Sequence, residues 1–213
     1  MADQSDLEFT YSLIDRVFRL GLGEMADFSG ANYDGDFSLA LEEAQRRKHE
    51  SVAAQIGIEP GRRVLDLGCG WGPLLNFVRE RGAVGVGVTL SSAQAEACRR
   101  NGLDARIADA REAHRRLLRD FDAIASLGAF EHFCSPEDHA AGRQEDVYRG
   151  LFANIAGMLP PGGRLYLQTR ESDEWYLALM QRQFPGSFLP FGKVQIVRTR
   201  DMSVAPNPGP ERR

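Results

Sequence analysis

RRVLDLGCGWGP, residues 62–73, is the stretch whose reading decides the fold. Val64-Leu65-Asp66-Leu67 is short and nearly all apolar, as expected of a central strand covered on both faces. Gly68, Gly70 and Gly72 then fall at alternate positions, so the turn has few Cβ atoms and a ligand can lie against its main chain. Pro73 suits the first turn of a helix, where its missing N–H matters least. The N-terminus of that helix offers free N–H groups and a positive dipole end, suited to a carboxylate or a phosphate. The plainer alternative is a tight strand-to-helix turn with no ligand. A nicotinamide or flavin site fails on spacing. Its fingerprint is G-x-G-x-x-G with an acidic residue about 20 positions on, whereas these glycines run G-x-G-x-G and the next strand ends in Val88-Thr89-Leu90. No Gly-Lys-Ser/Thr follows, which excludes a P-loop.

Outward from this turn the rhythm is regular. PLLNFVRERG is helical and AVGVGVTL β-like; SSAQAEACRRNG is helical and DARIADA β-like. REAHRRLL is helical and FDAIASLGAF β-like; EDVYRGLFANIAGML is helical and GGRLYLQT β-like. Five strands, most separated by one helix, predict an α/β fold: a mostly parallel sheet with helices on both faces. In such sheets ligands bind at the carboxyl ends of the strands, near the point where strand order reverses. Upstream, Leu7, Tyr11, Ile14 and Phe18 lie at helical spacing in residues 5–20, and residues 34–57 read as a second helix ending at Gly57, with Pro60-Gly61 as its stop signal. Downstream, residues 173–184 suggest one more helix and residues 193–199 a short strand. The division predicted is a helical cap over residues 1–58, a Rossmann-like domain over 59–200 and a disordered tail over 201–213, where PNPGPERR is rich in proline.

The chain has 213 residues, 43% of them hydrophobic and 26% charged, an ordinary balance for one globular domain with an appendage. A net charge of -4 argues against a protein that coats nucleic acid. No apolar run is long enough to span a membrane, and the N-terminus MADQSDLEF is polar and acidic, unlike a secretory leader. Cys69, Cys98 and Cys134 are odd in number and far apart, which predicts reduced thiols and a cytoplasmic location.

LDLGCGWG, followed by GVTLSSAQ and GAFEHF, resembles the cyclopropane-fatty-acid synthase and mycolic acid synthase family, which are S-adenosylmethionine-dependent methyltransferases with a Rossmann-like fold. FSGANY and LALEEAQRRKHE fit the same family in the same order, so the resemblance covers about residues 7–169. It implies that Asp66, Gly68, Cys69, Gly70, Trp71 and Gly72 line the methionine and ribose portions of the cofactor. It also implies that Thr89, Leu90 and Gln94 surround the ribose and adenosine, and that Asp109 and Ala110 border the adenine. A Thr hydroxyl and a Gln amide can bond ribose hydroxyls; Asp109 can equally cap the following helix. Phe28-Ser29 matches the family's Tyr-Ser pair, which reaches over the cofactor. Cys69 is expected to pack beside the cofactor and not to act as a nucleophile. The resemblance makes Glu131 the catalytic residue, part of a site that holds a proton-abstracting bicarbonate. Methyl transfer to an alkene leaves a carbocation, which calls for negative charge, aromatic faces and a base. Phe28, Tyr33, Phe130 and Phe133 could supply the faces, or could be ordinary core.

The departures from the family matter as much. Gly30 stands where the family has cysteine and Gln168 where it has histidine, and a downstream tyrosine has no counterpart, so simple methyl addition is expected in place of bicarbonate-assisted ring closure. The chain is some tens of residues short of the family, with the last strands absent or compressed into residues 193–199. His132, Cys134, Asp138 and His139 are close in sequence but lack a zinc spacing, and Pro136 suggests an acidic loop, so no metal is expected. His49 and His114 are expected on solvated helix faces. The run Arg46-Arg47-Lys48-His49 is read as a solvated face too, with contact to an anionic membrane or an acyl carrier as the alternative. The leading expectation is methylation of an unsaturated fatty acyl or related lipid. The alternatives are a methyltransferase of a small hydrophobic metabolite, or a cofactor-binding protein without activity.

Overall fold

The computed structural model describes residues 17–18, 20–22, 25–27, 29–113, 120–168 and 194–196. Six parallel strands form one sheet: β1 (Arg63–Leu67), β2 (Val84–Thr89), β3 (Asp104–Ile107), β4 (Ala123–Leu127), β5 (Arg164–Gln168) and β6 (Val194–Ile196), in the order β3-β2-β1-β4-β5-β6. The five expected strands are present, and the sixth falls within residues 193–199. The chain leaves β1 towards β2 on one side and returns to β4 on the other, so strand order reverses between β1 and β4.

Alternation along the strands divides the core into two layers. Leu65 and Leu67, with Ile124, Leu165 and Leu167, face Leu151, Phe152 and Ile155 of the helix α5 (Gln144–Met158). Val64, Ala123, Ala125 and Tyr166 point the other way, against Val52, Ala53 and Ile56 of α1 (Leu41–Ile56) and Leu74, Phe77 and Val78 of α2 (Pro73–Glu80). Period-two geometry therefore puts Asp66 on the α1 face, beside Val64.

Most helices begin and end where their local chemistry dictates. Pro73 opens α2, and Ser91 caps α3 (Ser92–Arg100) by accepting a hydrogen bond from the Gln94 N–H. Gly57, left-handed at φ 73°, closes α1 as expected. That helix starts at Leu41, however, and not at Asp34. Asp34 and Gly35 both take positive φ (47° and 80°), and the Asp36 carboxylate accepts from the N–H and hydroxyl of Ser38, so this stretch is a turn. The expected acidic loop at Pro136 is instead a short helix, α4 (Pro136–Ala140), capped by Ser135. The helix expected after Asp109 begins as a 3-10 turn, Ala110–Glu112. His114, most of residues 5–20, residues 173–184 and the tail 201–213 lie outside the described residues.

Candidate active site

At the carboxyl ends of β1, β2, β3 and β4 lies a cavity of about 790 Å³. Its floor is the glycine turn. The N–H groups of Gly68 and Cys69 both bond the Val88 carbonyl, which fixes the turn to the end of β2. Gly70 takes φ 53°, and a Cβ there would meet no atom within 4 Å, so its main chain is bare towards the cavity. Gly72 differs. A Cβ at that position would come within 2.6 Å of Leu103 Cδ1 and 3.0 Å of Cys98 Sγ, and the residue does not line the cavity. Its glycine is required by packing against Cys98 of α3 and Leu103. Trp71 lines the cavity but is almost fully buried, tilted against Phe18 at 5.6 Å. Cys69 also lines it; the Cys98 thiol beside it, and then burial, push the Cys69 thiol up and away from thiolate formation.

The next wall comes from the ends of β2 and β3. Thr89, Leu90 and Gln94 are all present there. The Thr89 hydroxyl donates to Gln94 Oε1 at 2.7 Å and accepts from the Ser91 N–H at 3.2 Å. Thr89 thus orients the Gln94 side chain, with the Gln94 carboxamide oxygen turned to the Thr89 hydroxyl. Asp109 and Ala110 border the same space. Asp109 caps the turn through the Arg111 N–H at 2.8 Å and pairs with the Arg111 guanidinium at 2.6 Å. Burial disfavours its charge, but these Arg111 contacts win and hold the carboxyl below the usual range.

Beyond β4, Glu131 sits half-buried in a 3-10 turn, Phe130–His132, and lines the cavity with Phe133. Phe130 turns into the core, stacked on Tyr148 at 4.7 Å, and Tyr33 stacks on Phe37 at 5.4 Å, so neither supplies a face to the cavity. Phe28 lies outside the described residues. Gly30 and Gln168 are joined: Gln168 Nε2 donates to the Gly30 carbonyl at 3.2 Å. Asp138 and His139 are engaged with Arg143 and Gln144, and among the described residues no group of three or more His, Cys, Asp or Glu could hold a metal.

On the α1 side the structure differs from the expected solvated helix face. Arg46 and Arg47 are surface residues paired with Glu50 and Glu43, but Lys48 and His49 are buried, not solvated. Lys48 Nζ donates to Asp27 Oδ1 at 2.8 Å, to Ser29 Oγ at 2.7 Å and to Gln45 Oε1. His49 Nε2 meets Asp27 Oδ2 at 2.8 Å, and its ring stacks on Phe77. Gln45 Nε2 donates to the Asp27 and Ser29 carbonyls at 2.8 and 2.9 Å. The missed signal was spacing: Ala44, Lys48 and Val52 form one i, i+4 stripe, and an ionic residue between two buried ones faces inward. Burial lowers the Lys48 and His49 pKa values, although Asp27 opposes this in both; the Asp27 carboxyl is lowered despite burial by its bonds to His49 and its pairing with Lys48. Asp66, 3% exposed, is pushed up to about 7 by burial and by the Asp27 charge, with Lys48 acting against them. It lines the cavity, and among the described residues its carboxylate has no hydrogen-bond partner.

Residues 1–191 match the family model described as mycolic acid cyclopropane synthetase. The chain belongs to this family. It is 33% identical over 172 residues to cyclopropane mycolic acid synthase MmaA2 of Mycobacterium tuberculosis (strain H37Rv), an alignment that covers 77% of this chain and 55% of that protein. It is 34% identical over 167 residues to cyclopropane mycolic acid synthase 2 of Mycobacterium leprae, over 75% of this chain and 53% of that one. The chain thus spans about half the length of the curated relatives it matches. The solved MmaA2 structure superimposes with a TM-score of 0.63 at 27% identity, covering 94% of this chain and 72% of that one. The structure of CmaA1 complexed with SAH and CTAB gives a TM-score of 0.62 at 24% identity, over 91% and 70%, and bears out the fold. Among the described residues of this synthetase-family chain, no helix is long and apolar enough to cross a membrane.

Proposed function

We propose that this chain is an S-adenosylmethionine-dependent methyltransferase whose acceptor is an unsaturated fatty acyl group or a related lipid. The observation that carries this reading is the bare Gly70 main chain lining one cavity with the buried Asp66 side chain, which has no hydrogen-bond partner among the described residues, at the point where strand order reverses. A volume of about 790 Å³ is ample for a nucleoside carrying an amino-acid tail. Asp66, Gly68, Cys69, Gly70 and Trp71 would hold the methionine end, Thr89 and Leu90 with the Gln94 amide the ribose, and Asp109-Ala110 the adenine. Residues 1–58 would act as a cap, since Ala26, Asp27 and Ser29 complete the wall. The free cysteines suit a cytoplasmic location.

S-adenosylmethionine, when bound, supplies an electrophilic methyl on a sulfonium. The chain contributes position and charge. Glu131 places a carboxylate, and Phe133 a ring face, at the end of β4, where the acceptor's carbon gains positive charge as its double bond attacks. The Gln168–Gly30 hydrogen bond joins the two positions at which the family carries cysteine and histidine. This favours methyl addition over cyclopropanation.

Titration calorimetry with S-adenosylhomocysteine tests the site, and methyl-labelled cofactor with a lipid extract tests turnover. Label is expected in the acyl fraction. Label confined to small metabolites would overturn the lipid reading, and binding without any turnover would identify a cofactor-binding protein. Glu131→Gln is expected to lower the rate by about 10² or more while leaving S-adenosylhomocysteine affinity unchanged. Full activity in that variant would remove Glu131 from the chemistry.

A further inference from the structure

Among the described residues, the hydrogen bonds around Ser29 can be counted. Asp27 is ionised and can only accept; Lys48 is an ammonium and can only donate. The Ser29 hydroxyl must therefore give its proton to Asp27 Oδ1, at 3.0 Å, and take a proton from Lys48 Nζ, at 2.7 Å. The Lys48 and Gln45 donors are all committed. Lys48 spends its three protons on Asp27, Ser29 and Gln45, the Asp27 oxygens receive Lys48, Ser29 and His49, and Gln45 ties down the Asp27 and Ser29 carbonyls. Among the described residues no second donor reaches Ser29 Oγ, so one of its lone pairs remains. Ser29 lines the cavity, beside Gly128 at the end of β4, and Asp66 lines the same cavity.

We infer that Asp27 is a positioning residue: with Lys48 it locks Ser29 as a hydrogen-bond acceptor, so that Ser29 receives the ammonium of the cofactor's amino-acid end and rejects its carboxylate. The carboxylate is left to the first free N–H groups of α2, where the helix dipole favours an anion. This inference rests on the cofactor reading above, and it assigns that ligand a direction. A hydroxyl free to rotate would accept either end of the amino acid; a hydroxyl held between a carboxylate and an ammonium cannot donate to either.

The experiment compares three ligands by calorimetry: S-adenosylhomocysteine, its analogue with the α-amino group replaced by hydrogen, and 5′-methylthioadenosine, which lacks the amino-acid end. The wild type is expected to prefer S-adenosylhomocysteine over the desamino analogue by about tenfold or more. In the charge-balanced variant Asp27→Asn/Lys48→Met that ratio falls severalfold, while methylthioadenosine affinity stays within about twofold. Ser29→Ala, which disturbs no ion pair, is expected to lower the ratio as well. A wild-type ratio near one, or a ratio that neither variant changes, overturns the inference, as does an equal loss for all three ligands, the mark of a merely structural role. If the wild type binds none of the three, the cofactor reading falls too; binding with an unchanged ratio sinks this inference alone.

Discussion

Gly70, in the turn after β1, and Asp66, within β1, are four residues apart and shape the cavity in opposite ways. Gly70 leaves room, and its φ of 53° lies in the left-handed region that a β-branched side chain tolerates poorly. Gly70→Val is expected to abolish S-adenosylhomocysteine binding in calorimetry while costing about 1–2 kcal/mol of stability from the backbone alone. Retained binding would mean that the ligand does not approach this main chain. The bare main chain at Gly70 was legible in the sequence, because alternate glycines after a buried strand leave a turn with few Cβ atoms. Asp66 was legible as part of the motif but not as an isolated charge: its environment depends on Asp27, 39 positions earlier, and on a lysine that composition alone assigns to the surface.

At the scale of elements, most of the architecture could be read from period and punctuation. Strands β1 to β5, the start of α2 at Pro73 and the end of α1 at Gly57 all follow from local rules. What local rules could not supply was the pairing of side chains across elements. Thr89 and Gln94 look like two independent hydrogen-bonding groups in the sequence, and the turn from β2 into α3 folds one onto the other. Ser91 caps that helix directly beside them. Ser91→Ala is expected to lower stability by about 1 kcal/mol in urea denaturation. It should also weaken methylthioadenosine binding several-fold, because it frees the first turn that carries Gln94. Unchanged binding at the lowered stability would show that Gln94 is held by Thr89 alone.

Across the whole molecule, the buried carboxylates link stability to pH with opposite signs. Asp66 holds its proton to about pH 7 in the native state, whereas an unfolded chain releases it in the ordinary carboxylate range, so between those limits the native state binds more protons and this group's contribution declines as pH rises. Asp27 is lowered, so its contribution is present above the unfolded value and is lost only as acid protonates the folded carboxylate. Thermal denaturation of the ligand-free protein is therefore expected to show Asp66→Asn gaining on the wild type as pH is raised from 5 to 8; a constant offset between the two would refute the assignment. The double clasp of Gln45 on the carbonyls of residues 27 and 29 has its own consequence. Its recognition of that segment is mostly through main chain, so a chimaera that transplants residues 25–30 from a relative would still be gripped by the host helix. Whether such a graft keeps its donor's ligand preference would then depend on transplanting positions 45, 48 and 49 along with it.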